Sequence, residues 1–138
     1  MLTKVNFRAH IKHVVAQFSA PHNQVNLDTL CALWEPAITS GVGRAYSNDD
    51  GFLLAMFLTD PTSGEKQACQ VLWMQAPGKR SGEAALKLFL TFEADAVIWK
   101  ANRILSGCVG ISGIPKMSRL YSWLGYRPFS ETFSKELK

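Results

Sequence analysis

The sequence predicts an α/β fold built around a mixed sheet, and three stretches carry that prediction. Phe52 to Thr59 and Lys66 to Gln75 are apolar runs of strand length, joined by Asp60-Pro61-Thr62-Ser63-Gly64, a hairpin-type connection. A long helix then spans about Ser81 to Ala101, with Leu86, Leu88, Phe89, Phe92, Ala96, Ile98 and Trp99 giving it enough apolar surface to be largely covered. Ala76 to Phe89, APGKRSGEAALKLF, joins the two: a Gly/Pro-broken turn rich in positive charge, and then the start of that helix. Such a junction aims free backbone N–H groups, the positive end of a helix and the Lys79 and Arg80 side chains at one point. That is an anion site, suited to a phosphate or pyrophosphate.

The remaining elements follow from periodicity and punctuation. Leu2 to Phe7 reads as a short first strand, and Phe7, Ile11, Val14, Val15 and Phe18 then fall at helical spacing, ending near Ser19-Ala20-Pro21. Asn26 is a good N-cap for a second helix carrying Leu27, Leu30, Leu33 and Trp34, which Pro36 is expected to kink or end, with Gly41-Val42-Gly43 closing the region. Arg44 to Ser47 reads as a short strand, and Asn48-Asp49-Asp50-Gly51 as the turn into Phe52. After the long helix, Ile104 to Ile111 reads as a buried strand. Ser112-Gly113-Ile114-Pro115 turns into a short helix, Lys116 to Leu124, capped by Gly125. Two last strands are expected near Tyr126 to Phe129 and Glu131 to Lys135. The order is β-α-α-β-β-β-α-β-α-β-β, without repeats or linkers.

Bulk properties narrow the function classes. A chain of 138 residues, 47% hydrophobic and 19% charged, is expected to form a single domain, 1–138, with its own core. No apolar run approaches the roughly 20 residues of a membrane span, and the N-terminus lacks a secretory pattern. Cys31, Cys69 and Cys108 are an odd, widely spaced set, read as reduced thiols in a cytoplasmic compartment. The net charge of +4 is scattered apart from Lys79/Arg80 and Lys116/Arg119, with no basic stripe for specific nucleic-acid binding. It suits a small anionic ligand or an acidic partner.

The element order and two motifs resemble the GNAT superfamily of acetyl-CoA-dependent N-acyltransferases. Lys79-Arg80-Ser81-Gly82-Glu83-Ala84 is similar to that family's phosphate loop, Gln/Arg-x-x-Gly-x-Gly/Ala, with Lys in the first place. Tyr121-Ser122-Trp123-Leu124-Gly125-Tyr126 is similar to its later motif, a tyrosine ahead of Gly-Phe, with Tyr for Phe. Phe133 to Leu137 looks like the family's last strand. The likeness covers Phe52 to the C-terminus, while the first 45 or so residues fit by element order alone. The resemblance implies a single GNAT-like domain with a mixed, mostly antiparallel central sheet flanked by helices. It also implies acetyl-CoA as co-substrate and a primary amine, on a protein or a small molecule, as acceptor. Leu120-Tyr121-x-x-Leu124-Gly125-Tyr126 is similar to the ending of small GNAT-like proteins of tailed phages, which implies the host cytoplasm or the virion as location and a possible protein partner.

Each motif residue has a chemical reading. Gly82 lets backbone approach a phosphate and Ala84 keeps the first helical turn from crowding it. The N–H groups around Arg80, Ser81, Gly82, Glu83 and Ala84 would cradle a pyrophosphate, with Lys79 and Arg80 adding screened charge and Glu83 favouring the helix dipole while repelling an anion. The plainer alternative is a Gly-containing loop that only starts a helix. Under the resemblance, the backbone of Leu72, Trp73, Met74 and Gln75 pairs with the pantetheine arm, and Ser112 stands where the family often has asparagine. Tyr121 would protonate the departing thiolate, a phenol being protonated at neutral pH; its plainer reading is an amphipathic aromatic at a helix edge. For the base the family often uses a strand glutamate, but Lys66–Gln75 offers Cys69, Gln70 and Gln75, and Ile104–Ile111 offers Ser106 and Cys108, with no acid in either. Glu35, Asp49, Asp50, Glu65 and His22 are the candidates, none singled out. His10 and His13 lack a third ligand, so no metal site is expected. Trp34, Trp99 and Trp123 read as core or interface anchors.

Overall fold

The computed structural model describes residues 1–18, 25–107, 114–129, 133 and 135–137, with backbone alone for 114–118. Two compact units emerge, Met1–Ser106 and Gly107–Lys138. The first contains helices α1 (Phe7–Val15) and α2 (Leu27–Ser40), strands β1 (Gly43–Asn48), β2 (Gly51–Thr59) and β3 (Lys66–Gln75), helix α3 (Ser81–Ile98) and strand β4 (Arg103–Leu105). The second contains α4 (Ile114–Trp123).

The sheet has the order β1-β2-β3-β4, antiparallel except for the parallel β3–β4 pair. β2 and β3 are the near-continuous apolar runs of strands covered on both sides. On one face Ala45, Phe52 and Leu54 meet Phe7, Ile11 and Val14 of α1 and Cys31 and Trp34 of α2. On the other, Phe92 of α3 meets Tyr46 and Phe57 edge-on at 6.0 and 6.1 Å, and Phe89 stacks on Trp73 at 5.1 Å. The period of two in each strand thus feeds two separate layers. Among the described residues, no helix is long and apolar enough to cross a membrane.

Several expected elements are altered. The Leu2–Phe7 strand reduces to one bridge, Leu2 to Ala45, because Asn6 Oδ1 accepts the Thr3 N–H at 2.8 Å and turns the chain into α1. Asn26 caps α2 as expected, accepting the Thr29 N–H at 3.0 Å. Pro36 does not end that helix, which runs on to Ser40. The proline forfeits one N–H, while Ala37 and Ile38 in the next turn pack against the core and hold the helix on course. β4 covers three residues, and no strand includes Ser106 or Gly107; the rest of the expected Ile104–Ile111 strand, including Cys108, lies outside the described residues. Tyr126 to Phe129 forms no strand, with Pro128 lacking the donor a ladder needs; most of Glu131–Lys135 lies outside the described residues. Gly125 caps α4 at φ 91°, with Tyr126 N–H on Tyr121 O and Gly125 N–H on Ser122 O.

β2 and β3 slip register between Leu54 and Ala55, which pair with Leu72 and Gln70, so Val71 is an extra residue, half-exposed on a bulge. The β3–β4 ladder covers only Gln67 to Cys69. Beyond the bulge, among the described residues, β3 pairs with β2 alone.

Candidate anion site at the strand–helix junction

The junction begins where β3 delivers Gln75 and the buried Ala76, whose N–H is held by Asp50 O at 2.8 Å. Pro77 and Gly78 break the strand, and Ser81 N–H turns back to Gly78 O at 3.3 Å. Arg80 occupies the N-cap position of α3 and makes no capping hydrogen bond through its side chain. The first backbone bond of the helix is Ala84 N–H to Arg80 O at 3.0 Å. The N–H groups of Gly82 and Glu83 therefore find no acceptor among the described residues, and both are exposed. A Cβ on Gly82 would meet nothing within 4 Å, so the space over this turn is open. Lys79 and Arg80 are exposed beside it. Glu83 is drawn to Lys87 one turn on, at 3.3 Å, which reduces its repulsion of an anion. A cavity of about 330 Å³ adjoins the turn on its β1 side, with Ser47, Asn48, Arg80, Glu83 and Lys87 among its lining residues.

The strand leading in keeps its side chains for the core. Leu72 and Met74 pack against the α1–α2 layer, and Trp73 lies on Phe89 in the α3 layer, its indole Nε1 buried without a partner among the described residues. What this part of β3 can offer a ligand is backbone, on the side that β4 no longer pairs.

Tyr121 belongs to the second unit. Its hydroxyl donates to Gly107 O at 3.3 Å, a long bond, and its ring lies 5.7 Å from that of Tyr126. Ser112 lies outside the described residues, as does His22.

The candidate bases are scattered. Asp50 accepts from Gln17 Nε2 at 3.1 Å and faces His13 Nε2 at 3.3 Å; Asp49 is exposed in the same turn; Glu65 pairs with Arg103 at 3.5 Å; Glu35 lies on α2. The histidine pair serves this hairpin, His10 Nε2 lying 2.9 Å from Gly51 O. Among the described residues no three of His, Cys, Asp and Glu converge as metal ligands.

Two polar groupings escape a reading of the sequence. Tyr46 donates to Asp95 Oδ2 at 2.7 Å, and Arg44 reaches the same oxygen at 3.2 Å while lying 4.0 Å above the Phe57 ring. Asn48 Nδ2 donates to Gln75 Oε1 at 2.7 Å and to Ala84 O at 3.3 Å. Strand alternation puts Arg44 and Tyr46 on one face, but their partner is 49 residues away or more.

No protein-family model matches the sequence, and a search of curated proteins finds no match. Solved structures do match. An aminoglycoside acetyltransferase from an uncultured soil metagenomic sample superposes with a TM-score of 0.73 at 17% identity, over 99% of this chain and 95% of its own. A GCN5-related N-acetyltransferase from Ralstonia eutropha gives 0.70 at 14% identity, over 99% and 95%. A Bacillus halodurans protein described as a transcriptional regulator gives 0.73 at 12% identity, over 99% and 96%. At such low identity the likeness is one of architecture, and the architecture of this chain is the fold of the GCN5-related N-acetyltransferases.

Proposed function

We propose that residues 1–138 act as one acyl-CoA-binding domain that transfers an acetyl group from acetyl-CoA to a primary amine of a protein or small molecule. The observation that carries this reading is the uncapped start of α3, with open space over Gly82, at the end of a bulged strand that leaves its β4 neighbour. Backbone N–H groups at Gly82 and Glu83 would take the pyrophosphate, with Arg80 and Lys79 adding charge. The freed backbone of Leu72 to Gln75 would hold the pantetheine arm. When bound, acetyl-CoA supplies a thioester: the amine nitrogen bonds to its carbonyl carbon, and the carbon–sulfur bond breaks. Tyr121 would give its hydroxyl proton to the departing sulfur and recover one from water. A phenol with an ordinary pKa of about 10 holds that proton at neutral pH. The acceptor amine sheds its own proton to water or to a carboxylate at the Asp49–Asp50 turn. A host-cytoplasm or virion location follows from the phage-like ending, as part of the same proposal.

Titration with acetyl-CoA in a calorimeter tests the binding half, and silence at millimolar ligand would end the enzyme reading. Thiol release with a panel of amines tests the rest. Tyr121→Phe is expected to lower it about a hundredfold while leaving acetyl-CoA affinity within about twofold. A second reading, a GNAT fold that binds without turnover, is favoured by one observation: no carboxylate lies inside any strand among the described residues. Binding without thiol release from any amine would establish it.

A further inference from the structure

The tip of the β1–β2 hairpin and the start of α3 are joined by a single side chain. Asn48 is the last residue of β1, and its amide is fully used: Oδ1 accepts the Asp50 N–H at 3.1 Å, and Nδ2 donates to Gln75 Oε1 and to Ala84 O. The amide can face only one way, because a backbone N–H must meet its oxygen and a backbone carbonyl must meet its nitrogen. One residue therefore ties together the hairpin turn, the last residue of β3 and the first turn of α3, the three pieces that bracket Ala76 to Glu83. The neighbours fit this bond. A Cβ on Gly51 would run into Gln75 Oε1, so glycine there gives the Gln75 amide its place. The Asp50 carbonyl holds Ala76 N–H, and α1 with the turn after it braces the hairpin from its other side, through His10 of the helix to Gly51 O and Gln17 of the turn to Asp50.

We propose that Asn48 is a positioning residue for the coenzyme site, holding the start of α3 at a fixed distance from the end of β3 so that the Gly82 and Glu83 N–H groups converge on one anion. The inference rests on reading that turn as the pyrophosphate site. Asn48 touches no reacting atom, so its removal acts on binding and leaves the chemistry of the bound complex alone.

The test uses the full chain with Asn48→Ala and Gln75→Leu, which cuts one of the two links and leaves Asn48 on Ala84. Three quantities are read: amide hydrogen exchange without ligand, coenzyme A affinity, and kcat at saturating acetyl-CoA. Asn48→Ala is expected to speed exchange in residues 84–87, the first hydrogen-bonded amides of α3, about tenfold with β2 unchanged, to weaken coenzyme A binding about tenfold, and to leave kcat within about twofold. Gln75→Leu is expected to do the same to a smaller degree, and it carries the test if Asn48→Ala fails to fold. Unchanged exchange at the helix start, faster exchange with unchanged affinity, or a uniform rise across the sheet overturns the proposal. If the wild-type chain takes up no coenzyme A, the pyrophosphate reading falls, and exchange alone decides whether Asn48 orders this turn.

Discussion

Tyr46 is almost wholly enclosed, with 2% of its surface exposed, and its hydroxyl is spent on Asp95 of the helix beneath. Burial first, and the bond to Asp95 second, push the phenol well above its ordinary pKa, against a smaller opposing effect of Arg44. The folded chain thus holds this proton more tightly than the unfolded chain does. The resulting stability is fully present below the unfolded value of about 10 and is lost as pH rises past it, where only the unfolded state releases the proton. Tyr46→Phe should cost about 1–2 kcal/mol at neutral pH, read by urea unfolding, because Asp95 keeps Arg44 and sits near the surface. The same variant should lose less stability than wild type between pH 9 and 11. Parallel decline of the two proteins in that range would refute the assignment. Cys31 and Cys69, whose thiols burial also pushes up, add an alkaline loss common to both.

At the scale of elements, the β3–α3 junction separates folding from binding. Gly82 lies in the first turn of α3 with an ordinary backbone and open space where a Cβ would go. Gly82→Ala should therefore keep the fold or raise its stability by up to about 1 kcal/mol through helix propensity. The methyl group would stand where the proposed pyrophosphate contact needs backbone, so acetyl-CoA affinity should fall about tenfold or more. Higher melting temperature with undiminished affinity would move the anion elsewhere. The junction was legible because its signals are local: Pro77, Gly78, two cations and an apolar helix within a few residues. Asn26 was legible for the same reason. Pro36 misled because the packing of Ala37 and Ile38 is tertiary and outweighs one missing N–H. Asn48 reads from sequence as a turn residue, since its partners Gln75 and Ala84 lie 27 and 36 positions on and nothing nearby in the chain announces them.

At the scale of the whole molecule, the sheet invests its side chains in two apolar layers, and the described residues include no buried polar or charged residue. Strands composed this way can present backbone to a coenzyme, but they have no acid to place against an amine. The consequence is kinetic. In the proposed transfer reaction, an amine that meets no base on the protein must arrive as its free base, whose fraction rises tenfold per pH unit below its pKa. The logarithm of kcat/KM should then climb with unit slope and level off at the acceptor's own pKa, about 10.4 for a lysine side chain. An acceptor amine of pKa near 8 should level off some two units earlier. This is measured by following thiol release from pH 6 to 9.5 with two amines of different basicity. A plateau at one pH for both amines would mean that the protein supplies a titrating base, with Asp49 and Asp50 the first residues to substitute. A plateau that moves with the amine means that the chain contributes binding and a leaving-group proton, and that acceptors with low amine pKa are its better substrates near neutrality.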